Sequence, residues 1–229
     1  RALQELSTIS CIVGEESIEK GFYRMEIVMI TSGMASENGY LLFKDKECLV
    51  IDPGTEDMRF FDEIESRGAT LKGILLTHAH FDHIGGVDML RRFTEAPVYV
   101  HAEEAGWLGN PEWNGSAKFG MPPMRMKPAD HLLQPGQLAI GNFSMHVLET
   151  PGHSPGSVTF YFKGERIAFG GDLLFQQGVG RTDLYGGNQD VLMRSLDRLI
   201  AELPADTTVY PGHGPNTTIR QEMKTNPFL

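Results

Sequence analysis

The stretch of sequence that decides the fold is THAHFDHIGG, residues 77–86. It holds three imidazoles and one carboxylate within six consecutive positions, at His78, His80, Asp82 and His83. These groups are common donors for zinc and related divalent ions. In an extended segment the first two histidines lie on one side, while the aspartate and the third histidine turn another way. One short segment could therefore serve two metal ions.

Three further candidate donors lie far along the chain, and each follows the end of a predicted strand. They are His153, Asp172 and His213, and the runs just before them are HVLET, RIAFG and TTVY. The tripeptide Pro-Gly-His ends at both His153 and His213, and a tight turn there would aim the imidazole back at the sheet edge. Strand ends at one edge of layered sheets share a crevice, where sites are usually built. We therefore expect all seven donors in one crevice.

Around these donors the sequence predicts groups of strands and helices. Predicted strands lie at residues 25–30, 40–44, 47–51, 73–76, 98–100, 143–149, 157–162, 166–169 and 208–210. Predicted helices lie at residues 57–67, 87–93 and 189–203, the last with Asn188 as its N-cap. Residues 106–130 combine four prolines and four glycines without a clear period, which predicts a long surface loop. Strands in groups with helices between them are typical of a layered α/β or α+β sandwich.

Composition and charge argue against several classes of partner. The chain has 229 residues, with 30 acidic against 20 basic side chains and a net charge of −10. Nucleic-acid binding is supplied mainly by Lys and Arg, so this balance predicts no nucleic-acid partner. No apolar run approaches the roughly 20 residues of a membrane span, and we expect no membrane partner. The opening residues also lack the layout of a signal peptide. Assembly into a homo-oligomer stays open.

The chain is expected to form one catalytic domain after a short extension. Residues 1–24 mix polar and apolar side chains with weak periodicity, and we interpret them as an N-terminal extension of unknown role. No linker or repeat interrupts residues 25–229. Two cysteines, Cys11 and Cys48, cannot form a disulfide framework, which predicts a cytoplasmic protein. The histidines outside the donor pattern are expected to be structural, and they are His101, His131 and His146.

The pattern H-x-H-x-D-H, followed by His, Asp and His, resembles that of the metallo-β-lactamase-fold hydrolases. Within them the chain is most similar to the glyoxalase II (hydroxyacylglutathione hydrolase) branch in its short single-domain form. The residues that carry the resemblance are Thr77–Gly86, Pro151–Gly156, Gly171–Phe175, Gly180–Asp183 and Pro211–Pro215. The resemblance implies an α+β fold, a four-layer αββα sandwich with the metals at one edge of its two sheets.

The resemblance also implies how the donors divide between two metal ions. The division is His78, His80 and His153 for one ion, Asp82, His83 and His213 for the other, and Asp172 as the bridge between them. The two aspartates are accordingly the expected catalytic carboxylates. The expected cofactors are two divalent ions, with zinc favoured over iron or manganese.

Such a site predicts hydrolysis of a thioester. Two divalent ions can share a water and lower its pKa from about 15.7 towards neutrality, which provides a metal-bridging hydroxide as the nucleophile. A thiol has a pKa of about 8.5 and can depart as thiolate, whereas an amide nitrogen needs a proton donor. No separate acid stands out in the sequence. We therefore expect a small-molecule substrate, a thioester of the S-acyl-glutathione type.

Two alternative activities stay open. One is a mononuclear iron persulfide dioxygenase, for which His78, His153 and Asp172 would form a 2-His-1-carboxylate set. The other is a lactone or ester hydrolase of the same fold. The commonest class B β-lactamases resemble this fold but have cysteine where this chain has Asp172. A purely structural role of the metal ions is the least favoured interpretation, because seven donors are more than a metal ion that only stabilises the fold needs.

Contacts with the substrate are predicted at Arg181 and Tyr185. By the resemblance, Arg181 falls near the basic contacts of glyoxalase II, and its fork matches a carboxylate. The alternative is that Arg181 pairs with Asp183 and braces the loop. An apolar wall over the metals, or plain loop packing, is predicted for Trp107, Trp113, Phe119, Met121 and Met124.

Overall fold

The structure is a computed structural model that describes the backbone of residues 9–12 and the whole of residues 25–119 and 122–229. Of the predicted extension, residues 1–8 and 13–24 lie outside the described residues. Residues 9–12 form a strand that pairs with the next strand of the first sheet, so this part of the extension belongs to the sandwich. Among the described residues, no helix has the length and apolarity of a membrane span.

Seven strands form the first sheet in chain order. They are β1 (Ile9–Ile12), β2 (Glu26–Ser32), β3 (Glu37–Lys44), β4 (Glu47–Ile51), β5 (Thr70–Leu75), β6 (Val98–His101) and β7 (His131–Leu133). Strands β1 to β4 pair antiparallel with one another, whereas β4 to β7 pair parallel. Parallel neighbours need crossover connections, which here contain α1 (Arg59–Ser66), α2 (Phe81–Ile84) and α3 (Val87–Thr94).

The second sheet uses the later half of the chain. Its first strands are β8 (Gly136–Ile140), β9 (Phe143–Glu149), β10 (Val158–Phe162) and β11 (Ile167–Gly171). A separate hairpin follows, of β12 (Leu174–Phe175) and β13 (Gly178–Val179), and then α4 (Gln189–Glu202), β14 (Thr208–Pro211), β15 (Thr217–Thr218) and α5 (Ile219–Thr225). The order across the sheet is β15-β14-β11-β10-β9-β8. Because α4 crosses over between them, β11 and β14 run parallel.

Apolar side chains pack in three layers, which confirms the αββα sandwich. Between the sheets, Leu49 of β4 belongs to the same core as Phe160 of β10. The next residue of β4, Val50, faces the opposite side, where it packs in a cluster with Leu90 of α3. The outer side of the second sheet is covered by α4, whose Leu196 is fully buried. Helices therefore lie outside both sheets. Because the faces of both sheets are covered by apolar cores, the edge where the strands end is the place left for a polar site.

Several predicted segments differ from the structure, among them strand 40–44, which begins at Glu37, and strand 73–76, which begins at Thr70. Helix 57–67 is shorter, because regular structure begins at Arg59 and ends at Ser66. The predicted surface loop 106–130 was wrong in part, because 3₁₀ helices cover Ala102–Gly109 and Ser116–Phe119 and Trp107 is buried. Short 3₁₀ turns lack the 3.6-residue period of an α-helix, so the apolar pattern gave no helical signal. The Asn188 cap was confirmed, since its side chain accepts a hydrogen bond from the N–H of Val191.

Candidate metal centre

The seven predicted donors lie together at one edge of the sandwich. They follow β5, β9, β11 and β14, and they are His78, His80, Asp82, His83, His153, Asp172 and His213. Two glycines allow this close approach. Gly152 has a φ of 137°, and a Cβ on it would collide with the backbone of Leu192. A Cβ on Gly212 would collide with Asp172 and His83, so only glycine fits beside the donors.

The donor atoms form two groups that meet at one carboxylate. Within each group the donor atoms lie within 4.8 Å of one another, and the groups are His78, His80 and His153, and Asp82, His83 and His213. Asp52 forms a third group of the same size with His78 and His83, which overlaps both. Asp172 Oδ1 lies 3.5 Å from His83 Nε2. Asp172 Oδ2 lies 3.5 Å from the Nε2 atoms of both His153 and His213. The grouping is the one that the resemblance implies, with Asp172 between the two groups.

Hydrogen bonds to oxygen fix the orientation of four imidazoles. The Nδ1 atoms of His78, His83, His153 and His213 lie 3.1, 3.0, 2.7 and 3.1 Å from Thr77 Oγ1, Asp52 Oδ2, Arg181 O and Ala35 O. The proton of each ring is therefore assigned to Nδ1, because a carboxylate or carbonyl oxygen can only accept, and the Thr77 hydroxyl already donates its proton to Asp52. In the neutral form of each ring the lone pair of Nε2 then faces the centre, as in metal-binding histidines. Burial would lower the pKa of His213, but its hydrogen bond to Asp82 outweighs it and raises that pKa, so Nε2 of His213 gives up its proton when an ion binds.

Buried atoms without partners show that this donor set fits metal ions. His78 Nε2, His83 Nε2 and Asp172 Oδ1 are buried and have no hydrogen-bond partner among the described residues. Such atoms are costly to bury unless something else satisfies them. His80 Nδ1 and His153 Nε2, 2.8 Å apart, also face each other across the first group. Imidazole and carboxylate donors arranged in this way suit divalent cations.

Burial and neighbouring charges keep most of the donors in the forms that bind metals. Burial and the positive charge of His83 hold the pKa of His78 well below its ordinary value. Burial and His153 lower the pKa of His80 to about 3. Burial alone would raise the pKa of Asp172, but the charge and the hydrogen bond of His83 outweigh it and lower that pKa. His78 and His80 are therefore neutral and Asp172 is ionised at neutral pH, as metal binding requires. Burial would lower the pKa of His83, but Asp172 and Asp52 outweigh it and raise that pKa, so His83 must lose a proton when it binds an ion.

The sequence did not single out Asp52, which orients two of the donors. Its Oδ2 accepts the hydrogen bond from His83, and its Oδ1 accepts one from the N–H of Thr77 at 2.7 Å. Thr77 Oγ1, which donates to Asp52 at 2.5 Å, in turn contacts His78. Asp52 has a φ of 48°, an uncommon conformation for a residue other than glycine. The only sequence signal was Asp52-Pro53-Gly54, which indicates a turn.

Glu104 is a second residue that the sequence did not single out. This buried carboxylate accepts hydrogen bonds from the N–H of Ala79 at 2.5 Å and the N–H of Gly156 at 2.8 Å. It also accepts one from Ser154 Oγ. Ala79 lies between His78 and His80, and Ser154 follows His153. Glu104 therefore joins the two loops that carry the first group of donors.

A cavity of about 590 Å³ opens over the donors. Of the two predicted substrate contacts, Arg181 and Tyr185, only the first is among the described residues that line it. Arg181 lines the cavity. Its Nε and Nη2 atoms donate to the two carboxylate oxygens of Asp183, each at 2.7 Å, which matches the predicted bracing pair. Tyr185 is not among the described residues that line the cavity, and its ring stacks on Trp113 at 5.8 Å.

Of the residues predicted to form an apolar wall over the metals, some line the cavity and others do not. Phe119 lines the cavity, and its ring lies 5.2 Å from that of Phe81. Trp107 is buried beside His80, at a ring distance of 5.6 Å. Met124 lies outside the cavity lining, and Met121 lies outside the described residues. The histidines that the sequence predicted to be structural, His101, His131 and His146, do not join the donor groups.

Comparison with known proteins shows which protein family the chain resembles. The sequence profile of the Metallo-beta-lactamase superfamily matches residues 33–213. The chain is 46% identical over 198 residues to the probable metallo-hydrolase YqgX of Bacillus subtilis, covering 86% of this chain and 94% of that protein. It is 35% identical over 208 residues to hydroxyacylglutathione hydrolase GloC of Haemophilus influenzae, covering 90% and 97%.

Solved structures show the same fold. The BLEG-1 B3 metallo-beta-lactamase has a TM-score of 0.86 and 47% sequence identity, over 89% of this chain and 99% of that one. The protein TTHA1623, solved in a di-iron-bound form, has a TM-score of 0.80 and 38% identity, over 88% and 99%.

Proposed function

This chain belongs to the metallo-beta-lactamase superfamily, and from that premise we propose that it is a dinuclear metal-dependent thioester hydrolase. In this proposal the first ion would be held by His78, His80 and His153, the second by Asp82, His83 and His213, and both by Asp172. When bound, the two ions would lower the pKa of a shared water and polarise the acyl carbonyl. Zinc is the proposed metal, with iron or manganese as the alternatives, and the di-iron-bound relative supports iron among them.

The position of Asp172 is the observation that carries the proposal. One of its oxygens faces His83 and the other faces His153 and His213, each at 3.5 Å. A single carboxylate thus touches both donor groups, which is what a bridging ligand needs. A purely structural ion would need only one closed group of donors.

The chain's own residues would handle the proton of the nucleophilic water. Asp82 lines the cavity, and its Oδ2 lies 3.3 Å from His213 Nε2. Burial raises the pKa of Asp82, but the hydrogen bond from His213 and the charge of His83 outweigh it, so the pKa is lowered. Asp82 is therefore a carboxylate at neutral pH. If Oδ2 serves as the ligand, Oδ1 is free to hold the proton that leaves the water.

The lining of the cavity favours a thiol leaving group. Among the described lining residues there is no Lys, Tyr, Ser or Cys, and Arg181 is paired with Asp183. A departing amine would have to take its proton from Asp82, which lines the cavity. A thiolate needs none, because its pKa is about 8.5. The relative named hydroxyacylglutathione hydrolase supports an S-acyl-glutathione as the form of thioester.

Metal analysis combined with a substrate panel tests the proposal. We expect two metal ions per chain, hydrolysis of S-acyl-glutathiones and loss of activity on chelation. Asp172→Ala should reduce metal content below two ions, and unchanged content would contradict the bridging role. His80→Ala should abolish activity. The matched control, His131→Ala, removes an exposed histidine outside the centre and should leave both metal content and activity unchanged.

The panel also contains the competing activities. A β-lactam is included because BLEG-1, which is 47% identical to this chain, is a B3 metallo-beta-lactamase. Persulfide-dependent oxygen uptake with one iron per chain would replace the hydrolase by the predicted dioxygenase. Lactones and oxygen esters complete the panel, since the same cavity could hold them. Preferred turnover of any of these over every thioester would overturn the proposal.

The remaining expectations are part of the same proposal. A reducing compartment such as the cytoplasm is proposed because Cys48 is a free thiol. The proposed partner is a small thioester, and neither nucleic acid nor membrane is proposed. Lysine and arginine are outnumbered 20 to 30 by acidic residues, which disfavours both kinds of anionic surface.

A further inference from the structure

The residues that line the cavity indicate what kind of acyl group the substrate has. Apart from five of the metal donors and Arg181, every described residue that lines the cavity is apolar. The larger ones are Met34, Phe81, Phe119, Phe175, Val179 and Leu184. None of them offers a hydrogen bond from its side chain. Away from the donors and Arg181, a hydroxyl or carboxylate on the substrate's acyl chain would therefore meet no side chain that can bind it by a hydrogen bond.

The apolar residues lie on two sides of the donors. Phe81 follows His80 in the chain and packs on Phe119, with ring centroids 5.2 Å apart. On the other side, Phe175 lies against the ring of His213 at 6.1 Å. A carbonyl placed at the donors would thus have an apolar surface within reach of its acyl chain.

Part of this surface is exposed to solvent, which points to a ligand. Phe119 is 46% exposed and Met34 is 79% exposed, although both line the cavity. Exposed apolar groups that gather at the mouth of a cavity mark a binding surface more often than isolated ones do. A ligand that covers them gains the free energy of removing apolar area from water.

Resting on the proposed thioester hydrolysis, we infer that the acyl group of the natural substrate is an apolar chain or ring, bound against Phe81 and Phe119. The size of the cavity fits this class, since pockets of about 300–1,000 Å³ hold small organic ligands. The hydrolysis is an ordinary one: water adds its oxygen to the acyl carbon, the carbon–sulfur bond breaks, and a carboxylic acid and a thiol leave. Phe119 is a specificity residue in this scheme and takes no part in the chemistry.

The test compares acyl groups on one thiol. S-acetyl-, S-lactoyl- and S-hexanoylglutathione share the leaving group, so differences in kcat/KM report on the acyl side alone. We expect the hexanoyl ester to exceed the acetyl ester by at least tenfold, because each buried methylene contributes roughly three- to fourfold. The lactoyl ester should not exceed the acetyl ester. A lactoyl preference, or equal rates for all three, would overturn the inference while leaving thioester hydrolysis intact.

Variants locate the effect at Phe119. Phe119→Ala should reduce the hexanoyl-to-acetyl ratio several-fold, and Phe119→Leu should restore most of it. Phe93→Ala is the matched control, since Phe93 is also a half-exposed phenylalanine but does not line the cavity. A ratio that is unchanged in Phe119→Ala, or reduced equally in Phe93→Ala, would contradict the assignment.

A binding measurement separates this inference from the proposed activity. S-hexylglutathione and S-methylglutathione are thioethers that cannot be hydrolysed, and calorimetry measures their affinities directly. We expect the hexyl compound to bind more tightly to the wild type, with the difference reduced in Phe119→Ala. If no thioester is hydrolysed, the proposed function and the inference both fail. If thioesters are hydrolysed but the two thioethers bind equally, only the inference fails.

Discussion

The carboxylate of Glu104 accepts a hydrogen bond from the backbone N–H of Ala79, at 2.5 Å. Ala79 lies between two donors of the first group, and the other oxygen of Glu104 binds the loop that follows His153. One buried side chain thus holds two donor loops in register. Burial raises the pKa of Glu104, and its hydrogen bonds oppose that rise without cancelling it.

Removal of this carboxylate should loosen the first metal group. Glu104→Ala leaves the N–H groups of Ala79 and Gly156 and the hydroxyl of Ser154 without their acceptor, which we expect to cost about 3 kcal/mol of unfolding free energy. Metal affinity should fall with it, because the loops of His78 and His153 lose their common anchor. Chemical denaturation and metal titration measure the two effects.

A neighbouring residue provides the control for this experiment. Glu103→Ala removes an exposed carboxylate of the same 3₁₀ helix and should leave stability within about 0.5 kcal/mol of wild type. Glu104→Gln should fall between wild type and Glu104→Ala, since its carbonyl oxygen still accepts while its NH₂ group meets donors. Equal stability of the two alanine variants would show that Glu104 is dispensable.

The contact between Asp52 and His83 predicts a larger effect on the second metal ion than on the first, which Asp52 reaches only through Thr77 and His78. Asp52→Asn offers Thr77 and His83 one acceptor oxygen in place of two, so the imidazole of His83 loses its fixed orientation. We expect affinity for the second ion to fall roughly 10- to 100-fold, the usual effect of removing such a support. Metal titration should then show one tight and one weakened site.

Asp57 offers a comparison for this variant. It pairs with Arg59 at the start of α1, away from the donors, and the hydrogen bonds of Arg59 keep its pKa low despite burial. Asp57→Asn should leave both metal affinities unchanged. Two sites weakened to the same degree in Asp52→Asn would mean that Asp52 supports the fold and not His83 in particular.

The sequence predicted the donors but not the residues that orient them, and the reason is physical. Each donor follows a strand end, a local pattern that can be seen in the sequence. Asp52 and Glu104 act on Thr77 and Ala79 from 25 positions away in each case, across turns whose pairing only the fold determines. An Asp-Pro-Gly turn and a pair of glutamates have many solvent-exposed counterparts, so no local signal distinguishes them.

The layers of the sandwich could be predicted because apolar residues recur at regular intervals in the strands and helices. The segments that cover the cavity could not be predicted, because they lack such a period. β4 alternates between two cores at every residue, as the apolar run at 47–51 indicates. Trp107 and Phe119 lie on 3₁₀ helices without an α-helical period, and one is buried while the other lines the cavity. Their different environments follow from packing against His80 and Phe81, which no pattern in 106–130 reveals.

The buried thiol of Cys48 predicts a loss of stability at alkaline pH. Burial raises the pKa of Cys48 to about 12 from an ordinary value of 9.0. Below pH 9 the thiol is protonated whether the chain is folded or not. Between the two values only the unfolded chain ionises, so stability falls as pH rises, by up to about 1.4 kcal/mol per pH unit.

Replacing this thiol isolates its contribution. Cys48→Val keeps an apolar group of similar size on a buried strand position and removes the titration. Denaturation curves between pH 8 and about 11 should show a shallower decline for the variant than for the wild type. Ionisation of lysines and tyrosines affects both proteins alike and cancels in the difference. Parallel curves would mean that the thiol ionises equally in both states.

The pair of Arg181 and Asp183 predicts a gain of function on anionic thiols. Both carboxylate oxygens of Asp183 accept from the guanidinium of Arg181, which also lines the cavity. The hydrogen bond from Arg181 lowers the pKa of Asp183 to about 2, so the pair persists throughout an assay at neutral pH. A carboxylate on the thiol part of a substrate must therefore compete with Asp183 for the guanidinium.

Asp183→Asn should remove this competition. For S-hexanoylglutathione, whose thiol part carries two carboxylates, we expect KM to fall about threefold with little change in kcat. The neutral ester S-hexanoyl-N-acetylcysteamine should show no such change, because it has no anion for Arg181 to bind. Asp206→Asn breaks a surface pair with Arg166 away from the cavity and controls for the change in net charge. Equal shifts in KM for both esters, or the same shift in Asp206→Asn, would rule out a direct role of Arg181 in binding the thiol.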